Sequence, residues 1–138
     1  MDRYTRNYLV LLSLIAAGIL AWWLSGLDFR AGEINDILAE DPEIAAYPYP
    51  FRVISVKDGS ATLSSPRSFE VPVIRFLGII QPGLAGKAQT DPEVMAAQAE
   101  LVRVQKHAAA LVKAQPDVNR VRWQLDRDWY LQRGISLP

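Results

Sequence analysis

Phe51 to Ser64, FRVISVKDGSATLS, decides the architecture of this chain. Val53, Ile54 and Val56 are β-branched and follow an aromatic residue, which reads as a strand. Asp58-Gly59 then supplies the residue pair that tolerates the positive φ angles of a two-residue hairpin turn. Ala61-Thr62-Leu63-Ser64 returns as the second strand and stops at Ser65-Pro66. A hairpin with helical patterns on both sides predicts an α+β domain.

Working upstream, Gly32 to Ala39 reads as a short helix, with Ile34, Ile37 and Leu38 on one face and Glu33 in its first turn. Pro42 stops it or starts another turn. Tyr47-Pro48-Tyr49-Pro50 forms an extended connector, because a residue before proline is pushed out of the α region. Downstream, 66–90 is a long inserted segment. Its apolar run Val71 to Ile80 reads as a buried strand or as a short helix begun by Pro72, and periodicity does not separate the two. Val73, Ile74, Phe76 and Ile79 are either core or an apolar patch for a partner.

Asp91-Pro92-Glu93 opens the clearest helix, with Asp as N-cap and Pro at the first helical position. Val94, Ala97, Leu101, Val104, Ala108 and Leu111 form its apolar stripe, and Arg103, Lys106 and Lys113 line another face. Pro116 closes it. Val118 to Leu125 alternates, with Val121, Trp123 and Leu125 apolar, and predicts a half-buried strand. Asp126 to Ile135 closes the chain as a turn or short helix. Trp123 is expected in the core, and Trp129 and Tyr130 fit either a core or an exposed contact.

The N-terminal region has a different character. Tyr8 to Leu27, YLVLLSLIAAGILAWWLSGL, runs twenty residues without a charge, enough helix to cover the roughly 30 Å hydrocarbon core of a bilayer. Tyr8 at one end and Trp22 and Trp23 at the other are the ring types that favour headgroup level. Arg3 and Arg6 precede the run, whereas Asp28, Glu33, Asp36, Glu40, Asp41 and Glu43 follow it against Arg30 alone. With the apolar run as a transmembrane helix (8–27), this bias predicts a cytoplasmic N-terminus (1–7), and a juxtamembrane linker (28–32) and a domain (33–138) on the outer side. A small exported domain without cysteine favours a bacterial envelope, which makes the membrane a bacterial inner membrane and the domain periplasmic. A cleaved secretory signal shares the basic-then-apolar order. Its apolar core is typically about 7 to 15 residues and ends in a small-x-small site, a pattern not evident here. Ala17, Gly18 and Ala21 would permit close approach of another helix, as in an accessory subunit of a larger membrane complex.

Charge is balanced overall, with fifteen basic and fifteen acidic residues, yet 103–133 holds seven bases and three acids. That segment suggests a basic face toward anionic headgroups or an acidic partner, and Arg103, Lys106 and Lys113 are its candidate contact residues. Nucleic acid is not expected outside the inner membrane, and no small-molecule substrate is indicated. Cysteine is absent, which removes disulfides, thiol chemistry and thiolate metal sites. His107 is the single histidine and reads as a surface residue. Asp126-Arg127-Asp128 has the D-x-D spacing of some metal-dependent transferases, but no acid follows Asp128 to complete a metal set. No catalytic residue, cofactor site or metal site is expected.

Some segments resemble the BON domain, a small αββαβ module of bacterial envelope proteins. Ile34 to Pro42, INDILAEDP, is similar to its first helix running into Asp-Pro. Phe51 to Ser64 is similar to its strand, turn glycine and returning strand. Ala108 to Val112 with Gln115 to Val121 resembles its second helix and the P-G-V-x-x-V entry to the last strand, with Asp117 in place of glycine. Ser65 departs from the usual glycine, and 66–90 is longer than the usual connection. The resemblance implies two helices on a short mixed sheet. It further implies non-catalytic binding of phospholipid membranes or an envelope protein partner.

Overall fold

The computed structural model describes residues 2–25 and 29–137, with Ser25 described by its backbone alone. The expected end of the span at Gly26 and Leu27, together with Asp28, lies outside the described residues. Helix α1 (Arg3–Ser25) is followed by α2 (Phe29–Glu40) and α3 (Pro42–Ala46). Strands β1 (Val53–Lys57) and β2 (Ser60–Ser65) come next, then α4 (Val73–Ile80), a single 3-10 turn (Pro82–Leu84) and α5 (Pro92–Lys113). Strand β3 (Arg120–Leu125) and helix α6 (Arg127–Leu131) complete the chain.

The protein is α+β. Its three-stranded mixed sheet has the order β1-β2-β3, β1 antiparallel and β3 parallel to the central β2. The expected hairpin is present: Lys57 pairs with Ser60 around Asp58 (φ 51°) and Gly59 (φ 77°), the two positive angles that a twist-matched two-residue turn demands. The Gly59 carbonyl also accepts from the backbone N–H groups of Asn119 (2.7 Å) and Arg120 (3.1 Å), so this turn is where β3 enters the sheet. A register shift between Val53 and Ser55 marks a bulge in β1.

One face of the sheet carries the core. Val53, Ala61 and Leu63 lie beneath Ala31, Ile34 and Leu38 of α2 and beneath the stripe Val94, Leu101, Val104, Ala108 and Val112 of α5. The expected stripe is buried at Val94, Leu101, Val104 and Ala108, whereas Ala97 and Leu111 are only partly buried and Val112 takes the place of Leu111 at its end. The connector residues Tyr47 and Tyr49 join Phe51, Phe76, Trp129 and Tyr130 in an aromatic cluster, with edge contacts such as Tyr49–Phe51 at 4.9 Å and Trp129–Tyr130 at 4.9 Å between centroids.

Several expectations change in detail. Residues 29–32, read as linker, belong to α2, because Ala31 packs into the core and Arg30 is held by Glu33, Gln115 and Asp117. The segment 66–90 resolves into α4 and the 3-10 turn, with Pro72 as the N-cap and not as the first helical residue. Among the described residues the domain thus has five helices around its sheet where the resemblance implied two, since α3, α4 and α6 are too short for periodicity to decide them. Trp123 leaves the expected core: β3 is an edge strand and its central side chain is 40% exposed.

Candidate functional surfaces

Helix α1 is 23 residues long, about 34 Å at the α-helical rise, and is long and apolar enough to cross a membrane. None of its described side chains is buried, and Tyr8, Trp22 and Trp23 are all exposed. A helix that is apolar on every side has no polar face to give to water, which is the arrangement that suits hydrocarbon.

The basic stripe of α5 is real in position but partly neutralised. Arg103 bonds Glu43 of α3 at 3.0 Å, and His107 one turn on meets Asp41 at 2.9 Å. Asp41 also caps α3, accepting from the N–H groups of Glu43 and Ile44. The His107 contact, reinforced by these backbone bonds, holds its carboxyl below the ordinary value of 3.8. Lys106 and Lys113 remain exposed, with no ion-pair partner among the described residues. The single histidine therefore serves an interhelical tie.

The apolar set of α4 splits. Phe76 is fully buried in the aromatic cluster, whereas Val73, Ile74 and Ile79 are half-buried against the core. Phe76 therefore offers nothing to a partner, and the other three pack against the core while staying partly exposed. The D-x-D pair also separates. Asp126 is buried, accepts the Tyr49 hydroxyl at 2.8 Å, caps α6 through the Trp129 N–H at 3.1 Å and lies 3.6 Å from Arg52. Asp128 faces solvent in the first turn of α6. Asp126 thus works as a structural residue. Among the described residues no three His, Asp or Glu side chains are placed to share a metal ion.

Two surfaces emerge that the linear reading did not connect. The first is the open face of the sheet. Cross-strand pairing sets Lys57, Ser60 and Arg120 in one row and Ser55, Thr62 and Arg122 in the next. These side chains, together with Asp58, line a hollow of about 360 Å³. Lys57, Arg120 and Arg122 have no ion-pair partner among the described residues. Three cations set among hydroxyl groups can hold an anionic group such as a phosphate. The alternation of Arg120 and Arg122 was visible in the sequence, but their alignment with Lys57 requires the parallel pairing of β3 with β2.

The second surface is a largely apolar cleft of about 570 Å³ beside β3, lined by Trp123 and Leu125 together with Phe69, Val71, Val73 and Gln105. Phe69 is fully exposed at its rim. Only one charged side chain, Arg67, lines it. No family model matches this chain, and neither a curated protein nor a solved structure matches it.

Proposed function

We propose that this protein is a single-pass, non-catalytic binding module of the bacterial inner membrane. Its N-terminus is cytoplasmic and its BON-like α+β domain periplasmic, where basic faces engage anionic phospholipid headgroups. The observation that carries this reading is the combination of an apolar helix with no buried side chain among those described and a domain whose open sheet face gathers Lys57, Arg120 and Arg122 with no ion-pair partner among the described residues. Lys106 and Lys113 of α5 add a second basic area, weaker because α3 supplies acids to its neighbours Arg103 and His107. Each Lys or Arg near an anionic surface contributes about 1 kcal/mol, so the three on the open sheet face give binding that salt weakens.

Flotation of residues 28–138 with phosphatidylglycerol vesicles and with neutral phosphatidylcholine vesicles tests the lipid assignment. Binding is expected to the anionic vesicles alone, to fall with salt, and to be lost on charge reversal of Lys57 with Arg122. A fragment that ignores anionic vesicles sinks this assignment and leaves an envelope protein partner as the occupant of these faces. Orientation is tested separately, by a reporter fused after Pro138. Activity restricted to the cytoplasm would reverse the topology.

A further inference from the structure

The two edges of the sheet are managed differently. On β1, the Asn35 side chain of α2 takes the place of a neighbouring strand, donating to the Val53 carbonyl and accepting from the Val53 N–H. Among the described residues nothing comparable covers β3. In its ladder with β2, Arg120 N–H reaches the Gly59 carbonyl and Asp126 N–H the Ser65 carbonyl at 2.8 Å. In a parallel pair a residue's N–H and C=O point to the same neighbour, so alternation places those of Arg120, Arg122 and Gln124 toward β2. Val121, Trp123 and Leu125 therefore turn their backbone groups outward, with no partner among the described residues.

We infer that this edge pairs with β3 of a second copy of the chain, antiparallel about a two-fold axis at Trp123, joining two domains through one six-stranded sheet. This goes beyond the proposed function and requires neither the lipid assignment nor the topology. The register follows from the outward groups. Trp123 faces Trp123, Val121 faces Leu125 of the other copy, and Leu125 faces its Val121. Each of these three pairs exchanges two backbone hydrogen bonds. Like charges are kept from direct opposition, since Arg122 falls opposite Gln124.

Charge selects the antiparallel direction. The strand is basic at its start (Arg120, Arg122) and acidic just past its end, where Asp128 is exposed without an ion-pair partner among the described residues. Antiparallel pairing brings the basic end of each copy to the acidic end of the other, whereas parallel pairing would set arginine against arginine. The side chains agree with this occupant. Trp123, 40% exposed, lies over the apolar cleft, and Phe69 stands fully exposed at its rim, so a second copy would cover apolar surface that this chain leaves to water. A membrane anchor on both copies would raise their effective concentration.

The absence of cysteine allows a direct test on the full chain in mild detergent. Single-cysteine variants Val121→Cys, Trp123→Cys and Leu125→Cys are treated with a short thiol cross-linker. Trp123→Cys is expected to link to itself, because directly opposed residues lie about 5.5 Å apart between Cα atoms. Val121→Cys alone, about 14 Å from its own copy, should not link, but mixed with Leu125→Cys it should. The mixture keeps Trp123 in place, so a loss of pairing caused by removing that ring is recognised. Val121→Pro removes only an outward N–H and keeps the ladder to β2. It should raise the dimer dissociation constant about thirty-fold, since one bond is lost from each copy. A monomeric full chain, self-linking at Val121 as fast as at Trp123, or a dimer indifferent to Val121→Pro would each overturn self-pairing. The first outcome would leave the edge to an unrelated strand, and the last would assign association to α1.

Discussion

At the scale of single residues, the two tyrosines of the Tyr-Pro-Tyr-Pro connector show how differently neighbouring side chains of one type can be placed. Both rings are buried, and burial pushes up both phenols, that of Tyr47 to about 12. Tyr49 donates its hydroxyl to Asp126 at 2.8 Å, tying the connector to the cap of α6. The Tyr47 hydroxyl has no such partner among the described residues. A buried hydroxyl that is bonded to a carboxylate stabilises, whereas one without a partner does not. Tyr49→Phe is therefore expected to cost about 1.5–3 kcal/mol, because it also leaves a buried carboxylate short of a donor. Tyr47→Phe is expected to stay within about 0.5 kcal/mol of the parent or to stabilise it. Urea denaturation of the full chain in mild detergent, followed by tryptophan fluorescence, measures both. The sequence supplied the connector and its extended backbone; which phenol meets Asp126 is a matter of how α6 packs.

At the scale of elements, the hairpin and α5 were legible because short-range chemistry specifies them. Asp58-Gly59 fixes the turn through φ, and Asp91 caps α5 by accepting the Glu93 N–H at 2.9 Å, with Pro92 inside the first turn. Gly59 carries a second duty that the sequence does not show. A Cβ there would come within 2.6 Å of the Asn119 side chain, besides facing an unfavourable φ of 77°. Asn119 is the end of a movable side chain, so the backbone term dominates. Gly59→Ala is expected to lower stability by about 1–2 kcal/mol and to loosen the start of β3 as well as the hairpin. Amide exchange at Asn119 and Arg120, whose N–H groups both bond the Gly59 carbonyl, reports that coupling; unchanged protection there would refute it. Helix α4 was illegible for the opposite reason. Its apolar run is as compatible with a strand, and only packing of Phe76 and Leu77 into the core selects the helix.

At the scale of the whole molecule, α5 is bound to the first two helices of the domain by ion pairs between elements far apart in the chain. Asp41 meets His107, Glu43 meets Arg103, and Asp117 just beyond α5 meets Arg30 of α2. The hydrogen bond to His107 lowers the Asp41 carboxyl below its ordinary 3.8, and the Arg30 guanidinium lowers that of Asp117 in the same way. A carboxyl that is more acidic in the folded state binds fewer protons there than in the unfolded state. Its stabilising contribution is complete above the unfolded value and is lost as pH falls through the lowered folded values. Stability is therefore expected to respond little to these two groups near neutrality and to fall below about pH 3.8. Arg30→Gln should move the Asp117 titration, followed by NMR, back toward that ordinary value. An Asp117 titration indifferent to Arg30→Gln would show that the interhelical pair is absent in solution.

The sequence by itself determined the apolar α1, the hairpin, the cap and stripe of α5 and the alternation of β3, because each depends on residues only a few positions apart. Only the tertiary structure decided that β3 lies parallel to β2 at a free edge, that Trp123 is half outside, and that Arg120 and Arg122 align with Lys57. The basic stripe of α5 was similarly read in isolation, and the acids of α3 that neutralise part of it come from sixty positions away. The physical reason is common to all of these. Backbone angles, caps and periodicity are set by local energies written in adjacent residues. Strand order, edge exposure and the company a charge keeps are instead set by which distant surfaces bury one another.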